Sequence, residues 1–411
     1  MEYRREVDGL RALAVLPVIF FHAGFEFFEG GFVGVDIFFV ISGFLITSII
    51  LDELSDKRFS LITFYERRAR RILPALFFML LACIPFAYIW LLPDDLTNFG
   101  QALIAVPLFV SNILFWRQSD YFNAASELNP LLHTWSLAVE EQYYLLFPIF
   151  LIVMWRLGRR AILPVLTLIF LVSFALAEWG AQVKPVPAFF LLPTRGWEIL
   201  LGAFMAFIPN IAPDKKQFSA LFGSLATLGL ILMGYAIVTF DQTTVFPGVS
   251  ALIPASGAAL VLLFAHKDTL VGKLLGTPAL VGLGLISYST YLWHQPIFAF
   301  FRYRQLVVTD SWQYVLLVIL SIAGGFFSWR FVERPFRSRK ALGRKTIFLS
   351  SLAFSAVIVA IGYWLSLPIS SSDAAKADDE DAPNHELTWD TCLNSAGAAR
   401  HDFVENPCIY P

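Results

Sequence analysis

Residues 32–51 read FVGVDIFFVISGFLITSIIL. At 1.5 Å per residue such a run makes a helix about 30 Å long, the thickness of a bilayer's hydrocarbon core. Its apolar residues do not alternate with polar ones, so it does not read as a barrel strand. Asp36 interrupts the run, and an ionisable group at such depth costs about 2.5–3.5 kcal/mol on insertion scales, which marks a functional group or a buried ion pair. Similar stretches lie at 10–24, 73–92, 99–116, 137–155, 161–179, 189–208, 218–239, 246–265, 278–301, 312–332 and 345–367. Of the 411 residues, 57% are hydrophobic and only 15% charged, more apolar surface than a soluble fold can hide. A net charge of −2 with no basic tail excludes a nucleic-acid binder.

Loop charge orients the chain. Lys57, Arg58, Arg67, Arg68, Arg70 and Arg71 fall in the 52–72 loop, and Arg156, Arg159 and Arg160 in the 156–160 loop. Both loops are therefore expected on the cytoplasmic side. An even number of crossings must join them, so one of the three stretches between them does not cross. The 99–116 stretch carries Pro107, Ser111 and Asn112 and runs into the polar residues 117–130, which selects it. The expected fold is an all-α polytopic membrane protein with about eleven transmembrane helices and one re-entrant or short interfacial helix. Its N-terminus is cytoplasmic and its C-terminus outside. Arg11 interrupts the first run and no small-residue cleavage site follows, so this run reads as a retained span. Three segments result: a main transmembrane domain at 1–335, a basic loop with the final helix at 336–367, and an outer segment at 368–411. Residues 370–383 (SSSDAAKADDEDAP) read as an acidic linker. Beyond it, Cys392 and Cys408 lie in an oxidising compartment and are expected to form a disulfide.

Polar residues within the spans form constellations. Eleven positions separate Arg11 from His22, which returns to within about 20° of the same helix face. His22 suits a general base near neutral pH, and Asp36, a short turn away, is placed to orient it. Arg67, Arg68, Arg70 and Arg71 suit the phosphates of a cytosolic ligand. His133, Ser136 and Glu140 share one helix face, with Trp135 and Glu141 beside them. Arg195 and Glu198 are spaced as an i,i+3 ion pair, as are Arg330 and Glu333, and Tyr288, Tyr291 and His294 recur along one side of a span. Trp135, Trp197, Tyr288, Tyr291 and Trp293 offer stacking surfaces for a sugar, or an interfacial aromatic belt. The histidines are scattered, with no metal-ligand spacing.

In this order the motifs resemble the membrane acyltransferase family 3, which includes O-antigen acetylases and peptidoglycan O-acetyltransferases. The resemblance rests on Asp8-Gly9-Leu10-Arg11-Ala12, on the spacing of Arg11 from His22, and on Gly34-Val35-Asp36-Ile37-Phe38-Phe39. It continues through the Arg67–Arg71 cluster, His133-Thr134-Trp135-Ser136-Leu137 with Glu140-Glu141-Gln142, Ser287-Tyr288 with Tyr291 and His294, and Glu333-Arg334-Pro335. It implies transfer of an acyl group, usually acetyl from acetyl-CoA, to a glycan hydroxyl at a bacterial inner membrane. His22 and Arg11 are then essential, and the arginine cluster serves acyl-CoA. The segment after residue 367 resembles the linker of the subgroup fused to a periplasmic SGNH domain. No Gly-Asp-Ser-His block follows Cys408, so the expectation is a truncated member of that subgroup or one without the domain.

The expected reaction follows. Acetyl-CoA docks on Arg67, Arg68, Arg70 and Arg71, and its pantetheine arm passes Arg11. His22, steadied by Asp36, takes the acceptor proton or carries the acyl group itself. His133, Trp135, Ser136, Glu140, Glu141, Arg195, Glu198, Tyr288, Tyr291 and His294 hold the acceptor. That acceptor is expected to be an O-antigen or lipopolysaccharide sugar, lipid-linked or not, with membrane lipids around the protein and no metal. The alternative is a transporter or flippase for a glycan or lipid-linked substrate.

Overall fold

The computed structural model describes residues 3–118, 127–208, 219–304, 311–338 and 342–367. Cys392 and Cys408, with the expected disulfide and the outer segment, lie outside the described residues. Helix α1 (Arg5–His22) opens with Glu6 and Asp8 in its first turn, where acids face the positive end of the helix dipole, and continues through Pro17. A 3₁₀ passage (Glu26–Val33) leads to α2 (Gly34–Ser55). Helix α3 (Leu61–Trp90) starts at Ser60, whose side chain accepts the Thr63 N–H at 3.4 Å. Its 30 residues outrun a bilayer, so its arginine-bearing first turns reach past the apolar core.

The 99–116 stretch is not one helix. It is divided between α4 (Pro93–Ala105) and α5 (Ser111–Gln118), with a turn in which Phe109 adopts φ 55°. At about 20 Å and 12 Å neither piece is long enough to cross. Helix α6 (Thr134–Leu157) stops at Gly158, whose φ of 139° only glycine takes without strain. After α7 (Ile162–Val183) the expected 189–208 span breaks at Leu191 into α8 (Pro185–Phe190) and α9 (Leu192–Phe207). The break is sealed by side chains: Asn112 Nδ2 donates to Phe190 O at 3.2 Å and Ser173 Oγ to Pro193 O at 2.6 Å. Unmet carbonyls in lipid cost several kcal/mol each, so such a break survives only inside protein.

The rest of the bundle is α10 (Ser219–Thr239), α11 (Leu252–Phe264), the short α12 (Leu270–Leu275), α13 (Pro278–Arg304) and α14 (Ser311–Ser328). A π turn (Trp329–Glu333) then leads through α15 (Arg334–Arg337) to α16 (Arg344–Leu365). Among the described residues, 8 helical stretches are long and apolar enough to cross a membrane. The eleven-span expectation adds α1, α13 and Val249–Phe264. Arg5, Glu6, Asp8 and Arg11 lower the apolar character of α1, polar and basic residues lower that of α13, and Val249–Phe264 is short. These differences follow from polar residues turned inward. The apolar window of Glu26–Ser55 is 78% buried and that of Arg344–Leu365 only 17%, so α2 is the hub and α16 an outer wall.

Lipid tails offer no hydrophobic drive between helices, so close backbone approach carries the packing. A Cβ on Gly43 would lie 1.8 Å from Ile199 O and one on Gly202 1.9 Å from Val40 O, which fastens α2 to α9. Helices α1 and α13 run parallel: a Cβ on Gly284 would meet Asp8 O at 1.8 Å, and at the far ends Arg302 Nη2 donates to His22 O. Residues up to Leu367 form one compact unit.

Candidate active site

A cavity of about 440 Å³ opens between α1, α2, α3, α6 and α13. Arg11, Arg68 and Arg71 line one end, and Ser136 and Tyr291 the other. The four arginines of the cluster divide. Arg67 is held by Glu53 at 2.8 Å. Arg70 is buried, paired with Glu66 at 3.0 Å, and donates to Leu342 O at 2.7 Å. Glu66 also takes Arg344 at 2.7 Å, which ties α3 to the start of α16. These two cations are committed to packing, where the sequence suggested a phosphate site. Arg68 and Arg71 face the cavity. The Arg68 guanidinium lies 4.3 Å from the Tyr144 ring, and its buried Nε has no hydrogen-bond partner. Arg11 Nη1 is 3.3 Å from Asp8 Oδ1. Glu140 accepts from Ser42 at 2.8 Å and Tyr144 at 3.4 Å, which places a carboxylate on the wall beside the arginines. Three cavity-facing arginines and an orphaned guanidinium nitrogen fit an anionic, phosphate-bearing ligand.

At the other end three histidines converge from three parts of the chain. The His22 and His294 rings are 5.1 Å apart, and His133 lies 5.4 Å from His294 and 5.4 Å from the Tyr291 ring. His22 Nδ1 faces Val18 O at 2.9 Å, and His294 Nδ1 faces Tyr291 O. Tyr291 forms the wall between this cluster and the cavity. Its hydroxyl donates to His133 O at 2.9 Å and bonds Ser136 Oγ at 2.7 Å. Both ring nitrogens of His133 and Nε2 of His294 are buried without a partner. Tyr288 also lines the cavity and donates to Ile72 O at 2.9 Å. Glu141 leaves a buried Oε1 without a donor.

Asp36 is placed differently from the expectation. Its Oδ1 accepts from Arg195 Nη2 at 3.0 Å and its carboxyl also meets the Glu198 side chain, so its partners lie on α9 rather than at His22. Arg195 Nη1 lies 3.3 Å from Glu198 Oε1, and all three side chains are at most 1% exposed. The rings of Phe39, Trp135, Phe189 and Phe246 surround the Arg195 guanidinium at 5.2–5.6 Å. Asp36, Arg195, Glu198 and Trp135 thus form a sealed ionic core between α2, α6 and α9, outside the cavity lining. Trp197 packs edge-on against Phe174 at 5.1 Å and is wholly buried, so it is no sugar platform. Glu333 pairs with Arg337, one turn on, and accepts from Ser289 at 2.6 Å, while Arg330 lies beside the Phe331 ring. Among the described residues no group of His, Cys, Asp or Glu is arranged to hold a metal.

Sequence reasoning missed Arg302 and Glu127. Arg302 Nη1 pairs with Glu127 at 2.9 Å while Nη2 caps the last carbonyl of α1, so this guanidinium anchors the histidine end of α1. Gln295 Nε2 donates to Glu127 O and Asn129 O, each at 3.1 Å, and fastens the same segment over the cluster. The available signal was a basic residue at the end of a span.

A family profile described as an acyltransferase domain matches residues 4–330. The chain belongs to the acyltransferase-3 family. This acyltransferase-3 chain is 32% identical over 391 residues to the O-acetyltransferase OatA of Staphylococcus aureus strain MRSA252, covering 89% of this chain and 64% of that protein. It is 30% identical over 383 residues to the peptidoglycan O-acetyltransferase OatA of Listeria monocytogenes, covering 89% and 61%. A putative O-acetyltransferase, SAS0844, of S. aureus strain MSSA476 is 31% identical over 389 residues, covering 88% and 62%. The matches thus span less than two thirds of these relatives' own length. No solved structure matches it. The expected O-antigen or lipopolysaccharide acceptor has no counterpart in these names, whereas peptidoglycan does. The matched region contains every described site residue discussed above except Phe331, Glu333, Arg337, Leu342 and Arg344.

Proposed function

We propose that the protein is a membrane O-acetyltransferase that moves acetyl from acetyl-CoA to a hydroxyl of an envelope glycan, with His22 as the reacting imidazole. The observation that carries this reading is the single cavity joining Arg11, Arg68 and Arg71 to the Ser136–Tyr291 wall, behind which the histidines lie. Phosphates of the donor bind Arg68 and Arg71, and the extended pantetheine arm runs along the apolar face of α2. Arg11 stabilises negative charge on the thioester side. The relatives named as O-acetyltransferases support the reaction class, and the Listeria relative favours peptidoglycan as the acceptor class over an O-antigen. The arginine end then faces the cytosol and the histidine end the outer side of the bacterial inner membrane, consistent with the loop charges.

The test uses the purified chain in nanodiscs with radiolabelled acetyl-CoA and a soluble peptidoglycan disaccharide. Release of CoA by wild type, abolished in His22→Ala, is the expected result. Wild-type rates of CoA release in a folded His22→Ala variant would exclude His22 as the reacting group. No acetyl-CoA binding or turnover by wild type would remove the transferase reading.

A further inference from the structure

Acyl transfer to an alcohol has two separate demands: a group to receive the acyl carbon or assist its attack, and a base to take the hydroxyl proton. The structure brings two imidazoles with matching hydrogen-bond patterns together behind the Ser136–Tyr291 wall of the cavity. His22 sits at the end of α1 and His294 two-thirds along α13, with ring centroids 5.1 Å apart. Each ring presents Nδ1 to a main-chain carbonyl, Val18 O for His22 and Tyr291 O for His294. A carbonyl only accepts, so Nδ1 carries the hydrogen and, in the neutral ring, Nε2 carries the lone pair. Nε2 of His294 is wholly buried and has no hydrogen-bond partner among the described residues. Buried acceptors are normally satisfied, and one left open beside a reaction centre marks the place of a donor brought by a ligand. An acceptor hydroxyl is such a donor.

The spacing of the two rings is fixed by backbone. Helices α1 and α13 touch at Gly284, where a Cβ would come within 1.8 Å of Asp8 O, while Gly9 of α1 packs against Leu275 O of the preceding α12 at 2.0 Å. At their other ends Arg302 of α13 bonds the carbonyl of His22. His133, 5.4 Å from His294, closes the third side and adds two ring nitrogens that have no hydrogen-bond partner among the described residues, so the surroundings of His294 are polar rather than apolar.

Building on the acetyltransferase reading above, we propose a division of labour in which His22 carries the acetyl group and His294 is the base that deprotonates the acceptor hydroxyl. In the first step Nε2 of His22 forms a C–N bond to the thioester carbon, the C–S bond breaks, and CoA leaves as the thiolate. In the second, the acceptor oxygen forms a C–O bond to that carbon. The C–N bond breaks with its electron pair returning to His22 Nε2, and the hydroxyl proton passes to His294 Nε2. His294 then releases that proton to solvent, and the thiolate takes one up. The sum is thioester plus alcohol giving ester plus thiol, with no other reactant.

The experiment separates the half-reactions in nanodiscs with radiolabelled acetyl-CoA, first alone and then with peptidoglycan disaccharide. Wild type, His22→Ala, His294→Ala and His294→Gln are compared. Gln places a neutral amide near the Nε2 position that keeps the bulk but cannot take up a proton, so it reports even if the Ala variant does not fold. His294→Gln is expected to release about one equivalent of CoA in a burst, keep the label on a peptide containing His22, and transfer to disaccharide 10²–10⁴-fold more slowly than wild type. His22→Ala gives neither burst nor protein-bound label. The inference is overturned if folded His294→Gln transfers within a few-fold of wild type, or if it loses burst and transfer together. In both cases wild-type turnover leaves the acetyltransferase reading standing. A wild type that consumes no acetyl-CoA removes that reading, and the role of His294 with it.

Discussion

Removing the guanidinium of Arg195 isolates two carboxylates at the centre of the bundle. Asp36 and Glu198 share this one cation, at 3.0 and 3.3 Å, and none of the three is more than 1% exposed. Breaking such a pair from one side typically costs 3–5 kcal/mol, because the remaining charges cannot reach water. At about 1.4 kcal/mol per factor of ten, Arg195→Ala should lower the folded-to-unfolded ratio by roughly 10² to 4 × 10³. The truncation also empties the space between Phe39, Trp135, Phe189 and Phe246, which adds a cavity cost. The assay is thermal unfolding in a fixed detergent, read beside acetyl-CoA turnover per folded molecule. The melting temperature should fall steeply while turnover per folded molecule stays within a few-fold. Adding Asp36→Asn and Glu198→Gln to the Arg195→Ala background should recover part of the loss by removing the stranded charges. If Arg195→Ala melts like wild type but has lost turnover, the ionic core belongs to the reaction centre and its assignment to packing is wrong.

The arginine cluster should separate in the same two measurements. Arg68→Ala and Arg71→Ala should each raise the KM for acetyl-CoA about tenfold or more, the scale of one charge-assisted hydrogen bond, with little change in melting temperature. Arg70→Ala should do the reverse, since it removes the buried pair with Glu66 and the bond to Leu342 O that tie α3 to the start of α16, and equal KM effects at Arg68 and Arg70 would contradict the division. Gly202→Ala should part α2 from α9 and sharply reduce the yield of folded protein, because the new Cβ would sit 1.9 Å from Val40 O; normal expression and melting would show that the helices slide apart at little cost. Tyr291→Phe should free both Ser136 Oγ and the His133 carbonyl from their shared partner and lower turnover without changing the KM for acetyl-CoA, and a raised KM instead would put Tyr291 on the donor side.

The spans were legible because a bilayer demands long apolar runs, and few other folds use them. That 99–116 is not a crossing helix was legible too, since Pro107, Ser111 and Asn112 sit where a crossing helix would need apolar residues, but its division into two helices was not. The break at Leu191 was not, because the side chains that satisfy it, Asn112 and Ser173, belong to other helices. At the site, residue types were readable but partnerships were not. Glu66 and Arg70 are four apart on one helix, so that pair lay within reach of helical spacing. Asp36 and Arg195 are 159 positions apart, and nothing local distinguishes Arg195 from His22 as the partner of Asp36. Likewise His22, His133 and His294 each read as a lone imidazole in its own motif, and only packing α1 beside α13 and the start of α6 makes them one cluster.

The bond from Arg302 to the carbonyl of His22 spans 280 positions of chain. A ribosome adding about 5–20 residues per second needs roughly 15–60 s to travel that distance. Throughout that interval the first span sits in the bilayer with Asp8, Arg11 and His22 already made and the helix that will enclose them still unsynthesised. The protein's earliest segment thus carries these polar side chains for that interval without the α13 partner that holds its end. A chain arrested anywhere before α13 would hold its imidazole and its arginines without a chamber to use them in. The cavity thus closes late, when α13 packs beside α1, so under the proposed function a stalled nascent chain would not spend its acyl donor in a futile cycle.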